Sequence, residues 1–121
     1  MRRVMVLALI GLVLVGCSSE SESLFADDGS AEQADYLFTI PVGSGEAIDR
    51  GEPLEILPGE LEVTVGEVIV IVNQDDRGHL VGPFFVSAGE TLRQRFSSPG
   101  TFIGECTVHP SGQITLEVAE S

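Results

Sequence analysis

Residues 61–72 decide the fold class, and they read Leu61-Glu62-Val63-Thr64-Val65-Gly66-Glu67-Val68-Ile69-Val70-Ile71-Val72. In the first five residues apolar and polar side chains alternate, which is the pattern of a β-strand with one buried and one wet face. Gly66-Glu67 then predicts a turn. The next five residues are all apolar and β-branched, which predicts a central strand covered on both faces. This stretch therefore indicates an all-β fold.

The same alternation of β-rich runs and turns continues outward from residue 36 to residue 119. Further strands are predicted near residues 36–42, 92–96, 101–106 and 114–118. Phe84, Phe85 and Val86 are expected to supply core bulk, and residues 44–58 are expected to form a long loop plus an edge segment. The total is six to eight strands without an internal repeat. This pattern is typical of a sandwich or barrel, here a single domain spanning residues 36–119.

The N-terminal residues have the features of an export signal. Arg2 and Arg3 precede an apolar run over residues 4–15, which is too short to span a membrane. Leu14-Val15-Gly16-Cys17 follows and resembles the lipobox of bacterial lipoproteins. The resemblance implies that residues 1–16 are removed and that Cys17 is lipidated. We therefore expect a protein anchored to the outer face of the cell membrane or held in the periplasm.

Residues 17–35 are predicted to be an acidic, flexible tether, because they are rich in Ser, Glu, Asp and Gly and contain one apolar pair, Leu24-Phe25. Without residues 1–16 the chain keeps four arginines against 19 acidic residues, a net charge of −15. Such a charge argues against binding to nucleic acid or anionic lipid. It fits either plain solubility or a positively charged partner.

Three side chains stand out as metal ligands. His79 and His109 are the only histidines, and Cys106 has no disulfide partner once Cys17 is lipidated. One thiolate and two imidazoles suit a trigonal copper site. The residues leave three other interpretations open: a buried structural cysteine, a zinc site completed by Glu105, or a nucleophilic cysteine oriented through Asn73 or Asp76.

Two segments resemble the copper-binding motifs of the cupredoxins, particularly the amicyanin, plastocyanin and halocyanin-like group. They are Pro99-Gly100-Thr101-Phe102-Ile103-Gly104-Glu105-Cys106-Thr107-Val108-His109-Pro110 and Gly66-Glu67-Val68-Ile69-Val70-Ile71-Val72-Asn73, the latter followed by Asp75 and His79. The resemblance implies an eight-stranded Greek-key sandwich with one type 1 copper ion. It also implies that His79, Cys106 and His109 are the equatorial ligands.

The chain departs from that family at the axial ligand. Met1 and Met5 both lie in the signal, so the processed chain has no methionine. The axial ligand could be the side chain of Gln113 or the carbonyl of Gly78, or the position could be empty. In addition, Leu80 follows His79 where relatives commonly have asparagine, so one hydrogen bond near the sulfur would be missing.

These features together predict a monomeric, membrane-tethered copper protein that carries single electrons between exported or membrane-bound redox partners and is not an enzyme. Electrons would leave through His109, beside a surface patch of Pro83, Phe84 and Pro110. The alternatives are a lipoprotein that stores or delivers copper, and a metal-free cupredoxin-like module that binds a partner at the cell surface.

Overall fold

The computed structural model describes residues 25–26 and 33–121. The signal sequence, the lipidation site Cys17 and most of the tether lie outside these residues. The elements in chain order are β1 (Phe25–Ala26), β2 (Tyr36–Ile40), α1 (Ser44–Asp49), β3 (Glu60–Thr64), β4 (Val68–Asn73), β5 (His79–Val81), β6 (Phe84–Val86), β7 (Thr91–Phe96), β8 (Gly100–Glu105) and β9 (Gln113–Ala119). No helix in this part of the chain is long and apolar enough to cross a membrane.

The strands form two main sheets and one hairpin. The first sheet has the order β1-β7-β4-β2, the second has the order β3-β9-β8, and β5 pairs with β6. The hairpin continues the second sheet, because Val81 forms an antiparallel bridge with Cys106 just after β8. Two backbone hydrogen bonds support this bridge: Gly82 N–H donates to Glu105 O (2.7 Å) and Thr107 N–H donates to Leu80 O (2.9 Å).

The core lies between the sheets. One sheet contributes Ile40, Ile69, Ile71 and Phe96, the other contributes Leu61, Val63, Ile114 and Leu116, and the hairpin adds Val81, Phe84 and Val86. The chain passes from one sheet to the other after β2, β3, β4, β6 and β7. The prediction of an all-β sandwich is thus confirmed, and residues 36–119 contain eight strands.

The opening sequence stretch folds as its pattern predicts. In β3, Leu61 and Val63 are buried between exposed or half-buried neighbours, whereas the first four residues of β4 are all buried. Gly66 makes the turn with a φ of 96°, in the left-handed region that glycine adopts without steric cost. Glu67 closes the turn, because its N–H donates to Thr64 O and its carboxylate accepts from Thr64 N–H at 2.6 Å.

The structure corrects the prediction for residues 44–58. This segment contains α1, a helix of six residues, where the sequence indicated a loop. An isolated helix of this length is not stable in water, so tertiary contacts must hold it. Ala47 is buried, Ile48 packs against the core, and the Asp75 carboxylate accepts hydrogen bonds from Gly43 N–H (3.1 Å) and Gly45 N–H (2.8 Å).

A second difference concerns the tether. Phe25 and Ala26, which fall within the predicted flexible segment, form β1 and pair with the edge of β7. The partners in register are Phe96 for Phe25 and Arg95 for Ala26. The folded part of the chain therefore includes a short strand contributed from within residues 17–35.

Candidate metal centre

Cys106 lies at the end of β8, where the second sheet joins the β5–β6 hairpin. Its side chain is 1% exposed and belongs to the core cluster. Burial raises the pKa of the Cys106 thiol, and the backbone N–H of Val108 opposes this rise only in part. Cys106 forms no disulfide and is the free cysteine of the described residues. In the metal-free protein it is therefore a protonated, shielded thiol at neutral pH.

His79 is the first residue of β5, and this strand lies next to the segment that contains Cys106. Val81, two residues later, is buried and bridges to Cys106, so His79 and Val81 project to the same inner face of the sandwich. The imidazole is 3% exposed. Its Nε2 lies 2.7 Å from Asp75 Oδ2, and its Nδ1 lies 3.1 Å from Oγ1 of Thr107. The structure thus places His79 beside the segment that carries the cysteine.

Asp75 is a buried carboxylate that binds three N–H groups. Its Oδ2 faces His79 Nε2 and also accepts from Gly45 N–H, whereas Oδ1 accepts from Gly43 N–H. Burial alone would raise its pKa, but the hydrogen bonds from His79 and from backbone N–H groups outweigh burial and hold the pKa at about 2. Asp75 is therefore ionised over the whole neutral range.

Asn73 holds the loop between β4 and His79 in shape. Its buried side-chain Nδ2 donates to Arg77 O at 2.7 Å, and also approaches the carbonyls of Val86 and Ser87 at 3.1 Å. Its Oδ1 accepts from Asp75 N–H at 3.0 Å. The sequence indicates for Asn73 only a role in orienting a nucleophile or its place in the copper-binding motif; the structure shows that its side chain cross-links this loop to β6.

His109 lies in the β8–β9 loop and is half-buried. Its Nδ1 accepts from Ser111 N–H (3.1 Å) and lies 2.7 Å from Ser111 Oγ. The ring covers Gly59, since a Cβ built on that glycine would lie 3.3 Å from the imidazole Cε1. The loop itself is closed by a hydrogen bond from Gly112 N–H to His109 O at 2.9 Å.

The three predicted equatorial ligands are brought together only in part. His79 and Cys106 occupy adjacent segments of the inner face, whereas the His109 ring is held by Ser111 and Gly59. Within residues 25–26 and 33–121, no group of three or more His, Cys, Asp or Glu side chains is arranged to hold a metal ion. The full ligand set therefore stays a prediction.

Gln113 lies away from the buried thiol. It is exposed and pairs with Glu105 across β8 and β9, so its side chain shares the outer face with that glutamate. Cys106, the next residue after Glu105, projects to the opposite, buried side. A contact between Gln113 and a metal bound by Cys106 would need a different backbone register.

The predicted surface patch near His109 is also corrected. Phe84 is 5% exposed and belongs to the core, and Pro83 lines a separate depression with Pro99 and Phe102. Instead, His109 lines a surface depression whose opposite wall is formed mostly by apolar or small residues between positions 48 and 54. Its lining residues are Ile48, Gly51, Glu52, Pro53, Leu54, Thr107, His109 and Pro110.

The donor chemistry of these residues fits copper. The buried thiol of Cys106 is a soft ligand without a competing disulfide, and His79 has its Nε2 engaged by a carboxylate, as is usual for metal-binding histidines. His109 fits the set only if its Nδ1 exchanges the Ser111 hydrogen bonds for the metal. Zinc fits less well, because a structural zinc site requires four protein ligands.

Comparison with known proteins gives structural neighbours only. No family model and no curated protein matches the chain. The chain is similar to a Cu(I) form of an amicyanin variant (22% identity, 81% of this chain and 93% of that chain, TM-score 0.43). It is also similar to a purple cupredoxin from Nitrosopumilus maritimus (20%, 70% and 100%, 0.44) and to amicyanin from Paracoccus versutus (17%, 73% and 85%, 0.44). All three are cupredoxins, the family that the sequence motifs resemble.

Proposed function

We propose that this protein is a mononuclear copper protein that carries single electrons, with Cys106, His79 and His109 as the ligands. The observation that carries the proposal is the placement of Cys106. A thiol without a disulfide partner is buried on the strand next to His79, and both side chains face the interior. An exported domain with an unpaired cysteine needs either burial or ligation to protect that thiol.

Each residue has a distinct part in this function. Cys106 loses its proton when the metal binds, and the surrounding core then keeps water away from the sulfur. His79 and His109 contribute ring nitrogens from two separate loops. The bound copper would supply the Cu(I)/Cu(II) couple that takes up and releases one electron. The sandwich limits how far the ligands move between the two states, because β5 and β8 are hydrogen-bonded to each other beside Cys106.

The axial position is proposed to carry no strong ligand. The processed chain contains no methionine, and the exposed outer-face position of Gln113 argues against its side chain. A weak or absent axial ligand changes the reduction potential but does not prevent copper binding. The carbonyl of Gly78, directly before His79, stays a candidate for a long contact.

Electrons are proposed to leave through His109, because its ring lines the depression formed with Pro53, Leu54 and Pro110. The lipid on Cys17 would hold the domain at the outer face of the cell membrane or in the periplasm. A redox partner with a positively charged docking face would complement the net charge of −15 in the processed chain. The protein would act as a monomeric carrier and not as a catalyst.

The test is copper loading of the processed chain, made soluble by Cys17→Ser. We expect one copper ion per chain, with an intense visible charge-transfer band from the thiolate and an EPR spectrum of a type 1 centre. The matched variant Cys106→Ser should bind copper weakly and give no such band. A wild-type site that stays colourless and metal-free after loading would contradict the proposal.

One observation favours a metal-free binding module as the second candidate. Both histidine rings are engaged by protein groups: His79 by Asp75 and Thr107, and His109 by Ser111. For such a module, Cys106→Ser would leave partner binding unchanged.

Copper delivery is separated from electron transfer by cyclic voltammetry, since a delivery protein would bind Cu(I) without a reversible one-electron wave.

A further inference from the structure

We propose that the edge of β8 is the surface with which this domain rests on the lipid bilayer. The surface consists of Pro83, Pro99, Phe102 and Ile103, and is called the β8 contact surface below. The inference rests on the lipid anchor at Cys17 in the proposed function, and it does not depend on copper. Contact through this surface would hold the candidate metal centre away from the membrane.

The strand β8 exposes apolar side chains on both of its faces. It lies at the edge of the second sheet, and the β5–β6 hairpin covers only its last part, where Gly82 N–H donates to Glu105 O. Phe102 pairs with the buried Leu116 on the inner face and is still 42% exposed, whereas Ile103 belongs to the outer face and is 60% exposed. Natural proteins protect exposed edge strands with charge or with a covering segment, because such edges associate with other surfaces.

The apolar surface continues from β8 into the opening between the two sheets. Pro83, Pro99 and Phe102 line this depression, and none of its lining residues is charged. The Phe102 ring lies flat against the side of the sandwich, because a Cβ built on Gly104 would lie 2.5 Å from the ring and one built on Gly82 would lie 3.7 Å from it. The exposed apolar area is therefore a broad, shallow surface and not a single protruding side chain.

The absence of charge distinguishes this surface from the rest of the domain. Residues 80–89 and 97–104 contain no acidic or basic residue, although the chain has 19 acidic residues. By contrast, Glu60, Glu62 and Glu117 lie on the outer face of β3 and β9, with Glu62 and Glu117 in register. A bilayer that contains anionic lipid repels such an acidic face and leaves the uncharged, apolar one to approach.

The position of the anchor selects the bilayer over a protein partner. Phe25 pairs with Phe96 at the end of β7, so the chain that leads back to Cys17 leaves the domain beside Ser97 and the turn into β8. Residues 18–24 reach at most about 23 Å when fully extended. A lipid on Cys17 would therefore keep this part of the domain close to the bilayer. A lipid chain combined with a second membrane contact also attaches a protein more firmly than one chain alone.

This orientation has a consequence for the candidate metal centre. Gly100 begins β8 and Cys106 follows its last residue, so the two lie about 20 Å apart along the extended strand. His109 lies in the loop beyond Cys106. When the start of β8 is nearest to the bilayer, the depression around His109 stays accessible to a redox partner from the aqueous side.

Ile103→Asp is the informative substitution, and Leu37→Asp is its matched control. The two side chains are similarly exposed, at 60% and 63%, so both variants should fold. Leu37 lies on β2, at the edge of the first sheet that is opposite to β1. Both substitutions add one negative charge to the chain, but only Ile103→Asp places it within the β8 contact surface. A general repulsion from the bilayer would appear in both variants.

The measurement uses the metal-free processed chain with its lipid on Cys17, in bilayer discs of phosphatidylcholine and phosphatidylglycerol. A trace of lipid with a paramagnetic headgroup broadens the NMR signals of amides that lie near the bilayer surface. We expect the strongest broadening at residues 97–104 and weak broadening at α1 and at His109. Ile103→Asp should lower the broadening at residues 97–104 to the level of the other strands, and Leu37→Asp should leave it unchanged.

The outcomes separate this inference from the copper proposal. Uniform broadening over the domain would overturn the inference and leave the β8 contact surface to a protein partner. A maximum at the acidic face of β3 and β9, or equal effects of the two substitutions, would also overturn it. So would an exported protein whose Cys17 carries no lipid by mass spectrometry. Failure of copper loading would instead remove the proposed electron carrier and would leave the bilayer contact intact.

Discussion

A few buried polar side chains hold the chain in its conformation near Cys106. Asn73 and Asp75 lie in the same short loop, and each is almost fully buried with several hydrogen bonds to backbone groups. A buried polar group without a hydrogen-bond partner destabilises the folded state. The loop therefore adopts the conformation in which these groups are paired. The position of His79 depends on this arrangement, because it follows the loop directly.

Asn73→Ala should destabilise the domain by about 3 kcal/mol, because it leaves the carbonyl of Arg77, a carbonyl of β6 and the N–H of Asp75 without their partner. The measurement is the free energy of unfolding in urea. Gln74→Ala, at the exposed next position, is the control and should change stability by less than about 0.5 kcal/mol. Equal effects of the two substitutions would show that the Asn73 network contributes little.

Asp75 should also make the stability of the metal-free domain depend on pH. Its pKa is about 2 in the folded protein and 3.8 as the ordinary value, so the folded state binds its proton less readily than the unfolded state. The stabilisation is present above pH 3.8 and is lost as the pH falls toward 2, with a size of about 2 kcal/mol. Unfolding curves between pH 5 and pH 2 should show this loss. In Asp75→Asn the free energy of unfolding should change less steeply with pH. An unchanged slope in that variant would contradict the assignment.

Among the elements, α1 shows how a helix forms without a helical sequence pattern. It has six residues, begins after Gly43, and lacks a side-chain cap of its own. Its stabilising contacts come from the core and from Asp75, which lies 30 residues further along the chain. A close approach between the two segments is possible because position 45 has no side chain.

Gly45→Ala should therefore destabilise the protein by about 1–3 kcal/mol, although alanine is the better helix former. The added Cβ would lie 2.6 Å from Arg77 Cδ and 3.0 Å from Asp75 Oδ2, so both side chains must move. Thermal unfolding followed by circular dichroism measures the effect. Glu46→Ala, at the exposed adjacent position, is the control and should stay within about 0.5 kcal/mol of the wild type. A Gly45→Ala protein as stable as this control would show that the contact is not restrictive.

At the scale of the whole molecule, the chain before residue 36 is not only a spacer. The Phe25–Ala26 strand pairs with β7 and extends the first sheet at its edge. Unpaired sheet edges are open to association with other chains, and β1 covers part of this edge. If Cys17 carries the lipid, only residues 18–24 separate it from the first strand of this sheet.

Deletion of residues 18–26 should expose the β7 edge and raise the hydrogen-exchange rate of peptides covering residues 91–97. Deletion of residues 18–23 removes acidic tether but leaves Phe25 and Ala26 in place, so it serves as the control. Exchange is measured by mass spectrometry in the metal-free Cys17→Ser chain. Identical exchange in both deletions would indicate that β1 does not protect β7 in solution.

The sequence alone determined the all-β class, the turn at Gly66 and the identities of the three candidate ligands, because strand alternation and a rare set of soft ligands are local properties of the chain. It did not determine α1, the exposure of Phe85, the outward position of Gln113 or the contacts of the two histidine rings. Those depend on hydrogen bonds between segments distant in sequence, such as Asp75 with Gly45 and with the imidazole of His79. Only the tertiary structure decides them, since a residue acquires its partners when the sheets pack together.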